Sequence, residues 1–172
     1  MTRHWIQTFV VELNLCPFAK REVARGSIDF RVYEGPEPED ILAALRDAMM
    51  TLDEHEDVET GFLILPSAFP DFRDFHDFQD VTQEFLKLMD RVGTYQLVGF
   101  HPRYQFAGTT VEDAENYTNR SPFPMLHILR ESSVDRAVES SADAAQITDQ
   151  NITTLNRLGA KELVARWEAC FE

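Results

Sequence analysis

A nearly uninterrupted apolar segment near the middle of the chain sets the strongest limit on the fold. This segment, TGFLILP at residues 60–66, carries no charged side chain. It is far shorter than the ~20 apolar residues that a membrane-spanning helix needs. A short run of this kind is typical of a strand that is covered on both faces of a sheet. Helices must then pack on both sides of that sheet, so the segment predicts an α/β fold.

Apolar residues recur at the spacing of a helix on both sides of this strand. Residues 37–57 begin with acidic side chains, which suit a helix N-terminus. The apolar face that we expect for this helix comprises Ile41, Leu42, Leu45, Ala48, Met49 and Leu52. Residues 71–93 predict a second helix, which starts with Asp-Phe repeats. Its expected core-facing stripe comprises Phe72, Phe75, Phe78, Val81, Phe85, Leu88 and Val92.

Shorter elements complete the chain. We expect an N-terminal helix that ends near Asn14 and a second helix that starts at Pro17 and stops at Gly26. A capping pattern at residues 132–135 predicts a further helix, and Gly159 separates two closing helices. The other predicted strands are residues 27–35, 94–100 and 125–131.

The order of these elements predicts the topology of the sheet. Strands that alternate with helices are joined by right-handed crossovers, so we expect the first three strands to be mainly parallel. The fourth strand is expected to be antiparallel because no crossover helix precedes it. The chain therefore predicts one α/β domain over residues 1–172, with a small, mainly parallel mixed sheet of about four strands, flanking helices and a helical C-terminus.

The charge of the chain limits its partners and its location. Thirty acidic and sixteen basic side chains give a net charge of −14, which disfavours binding to nucleic acids and to anionic membranes. The N-terminal apolar run is interrupted by Gln7 and Glu12 and is followed by no cleavage site, so we expect no signal peptide. Cys16 and Cys170 lie at opposite ends without a CxxC pair, and a reducing cytoplasm is the predicted location.

A long polar segment after the third predicted strand is the strongest candidate for a site. Connections in compact domains are usually about four to six residues, whereas residues 101–124 lack an apolar period. In an open α/β sheet, ligands bind beyond the carboxyl ends of parallel strands. The candidate binding side chains are Arg103, Asn116, Tyr117, Asn119, Arg120 and His127, and His101 is a candidate acid or base. Arginine suits bidentate binding of carboxylate or phosphate, so a small anionic molecule is the predicted ligand.

Two other interpretations of this segment stay open. Its arginines can pair with neighbouring acids while its asparagines satisfy the backbone of the loop. His127 can equally be a hydrogen-bonded core residue, and strand alternation places it on the face opposite Arg130. A zinc site formed by Cys16, His101, His127 and a carboxylate is chemically suitable. No spacing motif requires that site, so we predict no metal, and the cofactor is left undetermined.

Cys16 is a candidate nucleophile or redox thiol. It precedes a proline at the predicted start of a helix, and the helix dipole favours the thiolate. A dipole contribution of about 1 kcal/mol would lower the thiol pKa by roughly one unit. Free cysteine is also among the most buried residue types, so an inert packed thiol is the alternative interpretation.

Three stretches resemble a bacterial family of unknown function, domain-of-unknown-function family 1415. They are LNLCPFA at residues 13–19, GFHPRYQF at residues 99–106 and ENYTNRSPFPMLHILRE at residues 115–131. The resemblance extends over nearly the whole chain. It implies a stand-alone bacterial protein and carries no reaction, cofactor or catalytic residue.

These observations support two hypotheses of function. The first is an enzyme or binding protein for a small anionic metabolite, in which Cys16 and His101 are catalytic and Arg103 and Arg120 hold the anion. Whether the protein is an enzyme is left open. The second is a non-catalytic interaction module that uses its acidic surface or residues 69–78 to contact a protein partner or a second copy of itself.

Overall fold

The computed structural model describes residues 1–140 and 146–171. Its centre is a four-stranded mixed sheet with the strand order β1-β2-β4-β3. The strands are β1 (Ile28–Val32), β2 (Thr60–Ile64), β3 (Tyr95–Phe100) and β4 (Met125–Arg130). The first three strands run in the same direction, and β4 lies antiparallel between β2 and β3. The predicted α/β class and the antiparallel fourth strand are confirmed. Insertion of β4 leaves β1 and β2 as the parallel neighbours.

Helices cover both faces of the sheet. They are α1 (Thr2–Trp5), which continues as a π-helical segment (Ile6–Val11), then α2 (Ala19–Arg25), α3 (Pro38–Glu54), α4 (Phe72–Leu88), a 3-10 helix (Ala114–Thr118), α5 (Glu131–Ser140) and α6 (Ile147–Ala169). Gly159, with φ of 77°, interrupts α6 at the predicted boundary between the closing helices. Among the described residues, no helix has the length and apolarity needed to cross a membrane.

The central apolar strand behaves as its composition predicts. Every residue of β2 is buried, because both faces of the strand are covered. Leu63 belongs to a core that α3 and α4 form on one face of the sheet. Phe62 and Ile64 belong to a second core on the other face, together with residues of the N-terminal helices and α6. The sheet therefore separates two cores.

The two long helices differ in how well their periodicity predicts burial. The predicted apolar face of α3 is confirmed, with Ile41, Leu45 and Leu52 fully buried. In α4, Phe75 and Phe78 are buried as expected, and Thr82 and Leu86 then continue the buried face.

The prediction is wrong for three later members of the α4 stripe, although Phe85 packs against the core. Val81, Leu88 and Val92 are exposed, Leu88 by 85%. The Asp-Phe repeat advances in steps of three residues and drifts around a helix of 3.6 residues per turn, which takes Val81 and Leu88 away from the sheet. Val92 lies in the turn after α4 ends at Leu88.

Two helix starts also differ from prediction. The second helix begins at Ala19 and not at Pro17, because the chain first makes a turn after Asn14, where φ is 54°. Its end at Gly26 is confirmed by a left-handed φ of 68°. Helix α5 begins at Glu131, directly after β4, so the capping pattern at residues 132–135 lies inside its first turns.

Candidate functional site

The polar segment after β3 is held together by its own side chains. Asn116 is fully buried in the 3-10 helix. Its Oδ1 accepts a hydrogen bond from the backbone N–H of Phe106 at 2.9 Å, and Thr109 Oγ1 lies at the same distance. Its Nδ2 donates to the backbone oxygen of Thr110 at 2.7 Å. Both ends of the Asn116 amide therefore organise the backbone of the loop.

Arg120 and its neighbours also bind backbone. The Arg120 guanidinium donates to the backbone oxygens of Tyr104 at 3.3 Å and Val111 at 2.7 Å. It lies over the ring of buried Tyr117, 4.5 Å from the ring centroid. Asn119 Nδ2 donates to the oxygen of Gly99 at 3.1 Å. The interpretation that the asparagines satisfy the backbone of the loop describes these contacts. Arg120 binds backbone carbonyls and not the neighbouring acids that this interpretation assigned to it.

His101 is fixed by backbone at both ring nitrogens. Its Nε2 lies 2.9 Å from the oxygen of Phe69, which can only accept, so Nε2 carries the proton. Its Nδ1 accepts from the backbone N–H of Arg103, also at 2.9 Å. Burial lowers the pKa of His101, although the hydrogen bond to the Phe69 oxygen acts in the opposite direction. The imidazole is therefore neutral, and both of its ring nitrogens are bonded to backbone groups. A catalytic role would require one of these bonds to break, and that role stays a prediction.

Arg103 and Arg120 line an open groove beside the start of α4. The groove also contains Arg73, Asp71 and Asp74. The Arg103 side chain is exposed and forms no hydrogen bond or ion pair with the residues that the structure describes. An anion in this groove would meet three arginines but also two carboxylates, which weaken the attraction.

A second, more enclosed cavity lies between the sheet and the N-terminal helices. Its volume is about 320 Å³. The walls come from the N-terminal helices, residues 16–19, all four strands and α5. Most wall residues are apolar, among them Trp5, Ile6, Phe62 and Phe100. Cys16 and His127 line this cavity together, so the structure unites these two predicted residues.

Sheet register builds the back wall of the cavity. Phe62 on β2 is paired with His127 on β4, so both side chains project from the same face. Their rings stack at a centroid distance of 4.1 Å and an interplanar angle of 9°. Arg130, on the other face, donates to the backbone oxygens of Leu52 and Val58. The predicted separation of His127 and Arg130 is confirmed.

His127 has one bound and one unbound ring nitrogen. Its Nε2 lies 2.8 Å from Thr60 Oγ1, and the same hydroxyl donates to the oxygen of Ile128 at 2.6 Å. Nδ1 forms no hydrogen bond with the residues described in the structure. Burial lowers the pKa of His127 to about 3, so the ring is neutral at physiological pH.

The environment of Cys16 favours the alternative of a packed thiol over that of a thiolate. Burial raises the pKa of the Cys16 thiol, and hydrogen bonds from the backbone of Phe18 and Ala19 offset only part of that effect. The expected lowering of its pKa is therefore wrong, since loss of hydration outweighs the local backbone dipoles. Cys170 is buried near Thr8 and donates to the backbone oxygen of Arg166, as expected for a packed thiol.

Comparison with known proteins assigns the family. The sequence profile described as "Protein of unknown function (DUF1415)" matches residues 1–165. The chain belongs to this family. Searches of the curated proteins and of the solved structures found no match.

The stretches that resemble the family meet at the cavity. LNLCPFA contributes Cys16 and Ala19, GFHPRYQF contributes Phe100, and ENYTNRSPFPMLHILRE contributes His127 and Leu129. By contrast, the groove has no wall residue from LNLCPFA. The one pocket predicted from the sequence thus corresponds to two surfaces, with Cys16 and His127 in the cavity and Arg103 and Arg120 in the groove.

Sequence reasoning did not identify Glu22 and Thr60 as wall residues. Glu22 is buried and accepts hydrogen bonds from Ser27 at 2.6 Å and Arg21 at 2.5 Å. Burial alone would raise the Glu22 pKa, but these hydrogen bonds and the Arg21 charge hold the pKa below its usual value. A buried acid on a short helix has no local sequence signal. Within residues 1–140 and 146–171, no group of three or more His, Cys, Asp or Glu side chains forms a candidate metal site.

Proposed function

We propose that the protein binds a small, mainly apolar molecule in the cavity beside Cys16 and His127. The observation that supports this most is a mainly apolar cavity whose wall contains a neutral imidazole, one nitrogen of which has no partner among the described residues. A volume of about 320 Å³ lies at the lower end of the range for small-molecule sites, roughly 300–1,000 Å³. Such sites combine apolar walls with a few oriented polar groups, as this cavity does.

The titration behaviour of the polar groups favours binding over acid-base or thiol chemistry. A general base works best when its pKa is near the working pH. Burial places the pKa of His127 at about 3, so its neutral ring is a weak base. The raised pKa of Cys16 keeps it as a thiol, which is a poorer nucleophile than a thiolate. The proposal is therefore a binding site, and catalysis is no part of it.

A cavity-filling variant tests this proposal. Ala19 lines the cavity, whereas Ala24 is exposed on the same helix. Neutral apolar compounds would be screened by thermal unfolding and the hits titrated by calorimetry. A ligand at about 100 times its dissociation constant adds ~2.7 kcal/mol and raises the midpoint by roughly 5–11 °C.

The two phenylalanine variants give opposite expectations. Ala19→Phe should weaken binding of every hit by at least about tenfold, because the new ring occupies ligand volume. Ala24→Phe should bind like the parent protein. Equal binding by the parent and Ala19→Phe, or silence across a broad set of neutral apolar compounds, would reject the cavity as the site.

A small anionic metabolite in the groove is the second candidate function. It is favoured by the exposed Arg103 guanidinium, which has no ion pair within the described residues. Thermal shifts with anionic metabolites should disappear in Arg103→Ala and persist in Ala19→Phe. The reverse result would place anion binding in the cavity, and no shift in the parent would remove this candidate.

The setting that we propose is the cytoplasm of a bacterium, with a protein partner or a second copy of the chain as further binding partners. The two free cysteines, one of them buried, suit a reducing compartment. The rival hypothesis of an interaction module based on residues 69–78 has less support, because Phe75 and Phe78 are buried in the core. Pull-down of a specific protein together with unchanged behaviour toward all small molecules would revive that hypothesis.

A further inference from the structure

We infer that the cavity selects neutral ligands that donate a hydrogen bond, and that His127 Nδ1 is the group that accepts it. This inference rests on the proposed function and specifies its ligand class. It predicts an apolar body with a single hydroxyl or neutral N–H group at the end that faces β4. Phenols and alcohols of small size have this chemistry.

The hydroxyl of Thr60 determines which ring nitrogen carries the proton. Its oxygen lies 2.6 Å from the backbone oxygen of Ile128, which can only accept. A hydroxyl has one hydrogen to donate, and Thr60 donates it to the Ile128 oxygen. Thr60 Oγ1 must therefore accept a hydrogen bond from His127 Nε2 at 2.8 Å. His127 is consequently protonated at Nε2. Nδ1 then carries a lone pair and acts only as an acceptor.

The position of the ring leaves Nδ1 available to a ligand. Phe62 stacks on one face of the imidazole, so a ligand can contact the ring only at its other face or at its edge. His127 is partly exposed and lines the cavity. Its Nδ1 has no hydrogen-bond partner among the described residues, so Nδ1 is the ring nitrogen that a ligand can use.

The charges in the wall argue for a neutral ligand. Glu22 is paired with Arg21, and Glu59 is paired with Arg136 at 3.0 Å. A ligand anion would place its charge beside two carboxylates and the lone pair of Nδ1. The one basic side chain that the described residues contribute to the wall, Arg21, is already paired with Glu22. A donor on a neutral molecule satisfies Nδ1 at no such electrostatic cost.

Phenol and toluene make a matched test because they differ by hydroxyl against methyl at nearly equal size. In His127→Phe the stacking partner of Phe62 is kept but the acceptor is lost. The ratio of phenol affinity to toluene affinity, measured by calorimetric titration, should therefore be roughly 2- to 12-fold higher in the parent protein than in His127→Phe, the equivalent of one net hydrogen bond. The variant should lose affinity for phenol and retain toluene binding.

The outcomes separate this inference from the proposed function. If neither compound binds the parent protein, and other apolar compounds also fail, the cavity proposal itself is wrong. If the ratio of phenol affinity to toluene affinity is the same in the parent protein and in His127→Phe, the cavity is a binding site but His127 does not select the donor.

Nitrogen NMR of the parent protein gives a second test that needs no variant. Proton-nitrogen correlation on the His127 ring should show the Nε2–H tautomer. Addition of phenol should shift the Nδ1 resonance in the direction of hydrogen-bond acceptance, whereas toluene should leave it unchanged. An Nδ1–H tautomer, or identical shifts with both compounds, would overturn the assignment.

Discussion

Protonation of His127 should make the stability of the protein fall below neutral pH. The unfolded chain has a histidine pKa of ~6.5, whereas burial lowers the folded value to about 3. Below pH 6.5 the unfolded state therefore binds more protons than the folded state at this residue. Its contribution is fully present above the unfolded pKa and is lost as the pH falls toward the folded pKa. Between about pH 7.5 and pH 5 the loss should be about 2 kcal/mol.

The size of this loss depends little on the exact folded pKa, provided that it lies below about 4. Urea unfolding of the parent protein and His127→Phe at several pH values measures it. The cavity also contains Cys16, Arg21, Glu22 and Glu59, but these groups are common to both proteins and cancel in the difference. The parent should lose about 2 kcal/mol more than the variant over this range. If the free energies of unfolding of the two proteins changed with pH in parallel, His127 would take up its proton equally in the folded and unfolded states. That result would refute a neutral, desolvated His127.

Three further predictions concern the polar segment and the thiol. Asn116→Ala should destabilise the protein by about 2–4 kcal/mol, because it leaves the Phe106 N–H and the Thr110 carbonyl without their partner. A free energy of urea unfolding within about 0.5 kcal/mol of the parent value would contradict this. Cavity ligands should bind this variant as they bind the parent. Arg120→Ala should cost about 2–3 kcal/mol by removing two charged hydrogen bonds and the contact with a buried tyrosine ring, whereas a purely ligand-binding arginine would change anion affinity alone. In a Cys170→Ser background, alkylation of Cys16 should reach half its maximal rate at a higher pH than a cysteine peptide, since burial raises its pKa; a midpoint below that of the peptide would restore the reactive thiolate.

Elements whose pattern reports burial directly were predictable from the sequence. The apolar composition of β2 and the regular face of α3 each identify a surface that must be covered, and both are buried as expected. The core-facing stripe predicted for α4 was wrong in its later part, because a three-residue repeat approximates a helical period only over a short distance. Its first phenylalanines reach the core, but Leu88 does not.

The site was less predictable because the same polar side chain suits a ligand and a loop equally well. The sequence places Asn116, His101 and Arg120 in one unusual segment, but does not show whether they contact backbone or an external molecule. Folding resolves this, since each donates to or accepts from a backbone group in the structure. The prediction that the Cys16 pKa is lowered was wrong for a related reason. It considered only the helix end beside Cys16, which does not show which distant residues bury the thiol.

One continuous segment supplies both the polar group of the cavity and part of its cover. β4 carries His127, and α5 begins immediately after β4 and places Ser133 and Val134 in the cavity wall. Helix α5 is joined to the rest of the wall by the Arg136–Glu59 ion pair, which is largely exposed on the arginine side and therefore contributes roughly 0–1 kcal/mol. The acceptor is thus held by the strand pairing of the sheet, whereas the ion pair that links the cover to the rest of the wall is weak. A ligand that fills the cavity adds contacts between α5 and the sheet, so binding should stabilise α5 against local opening.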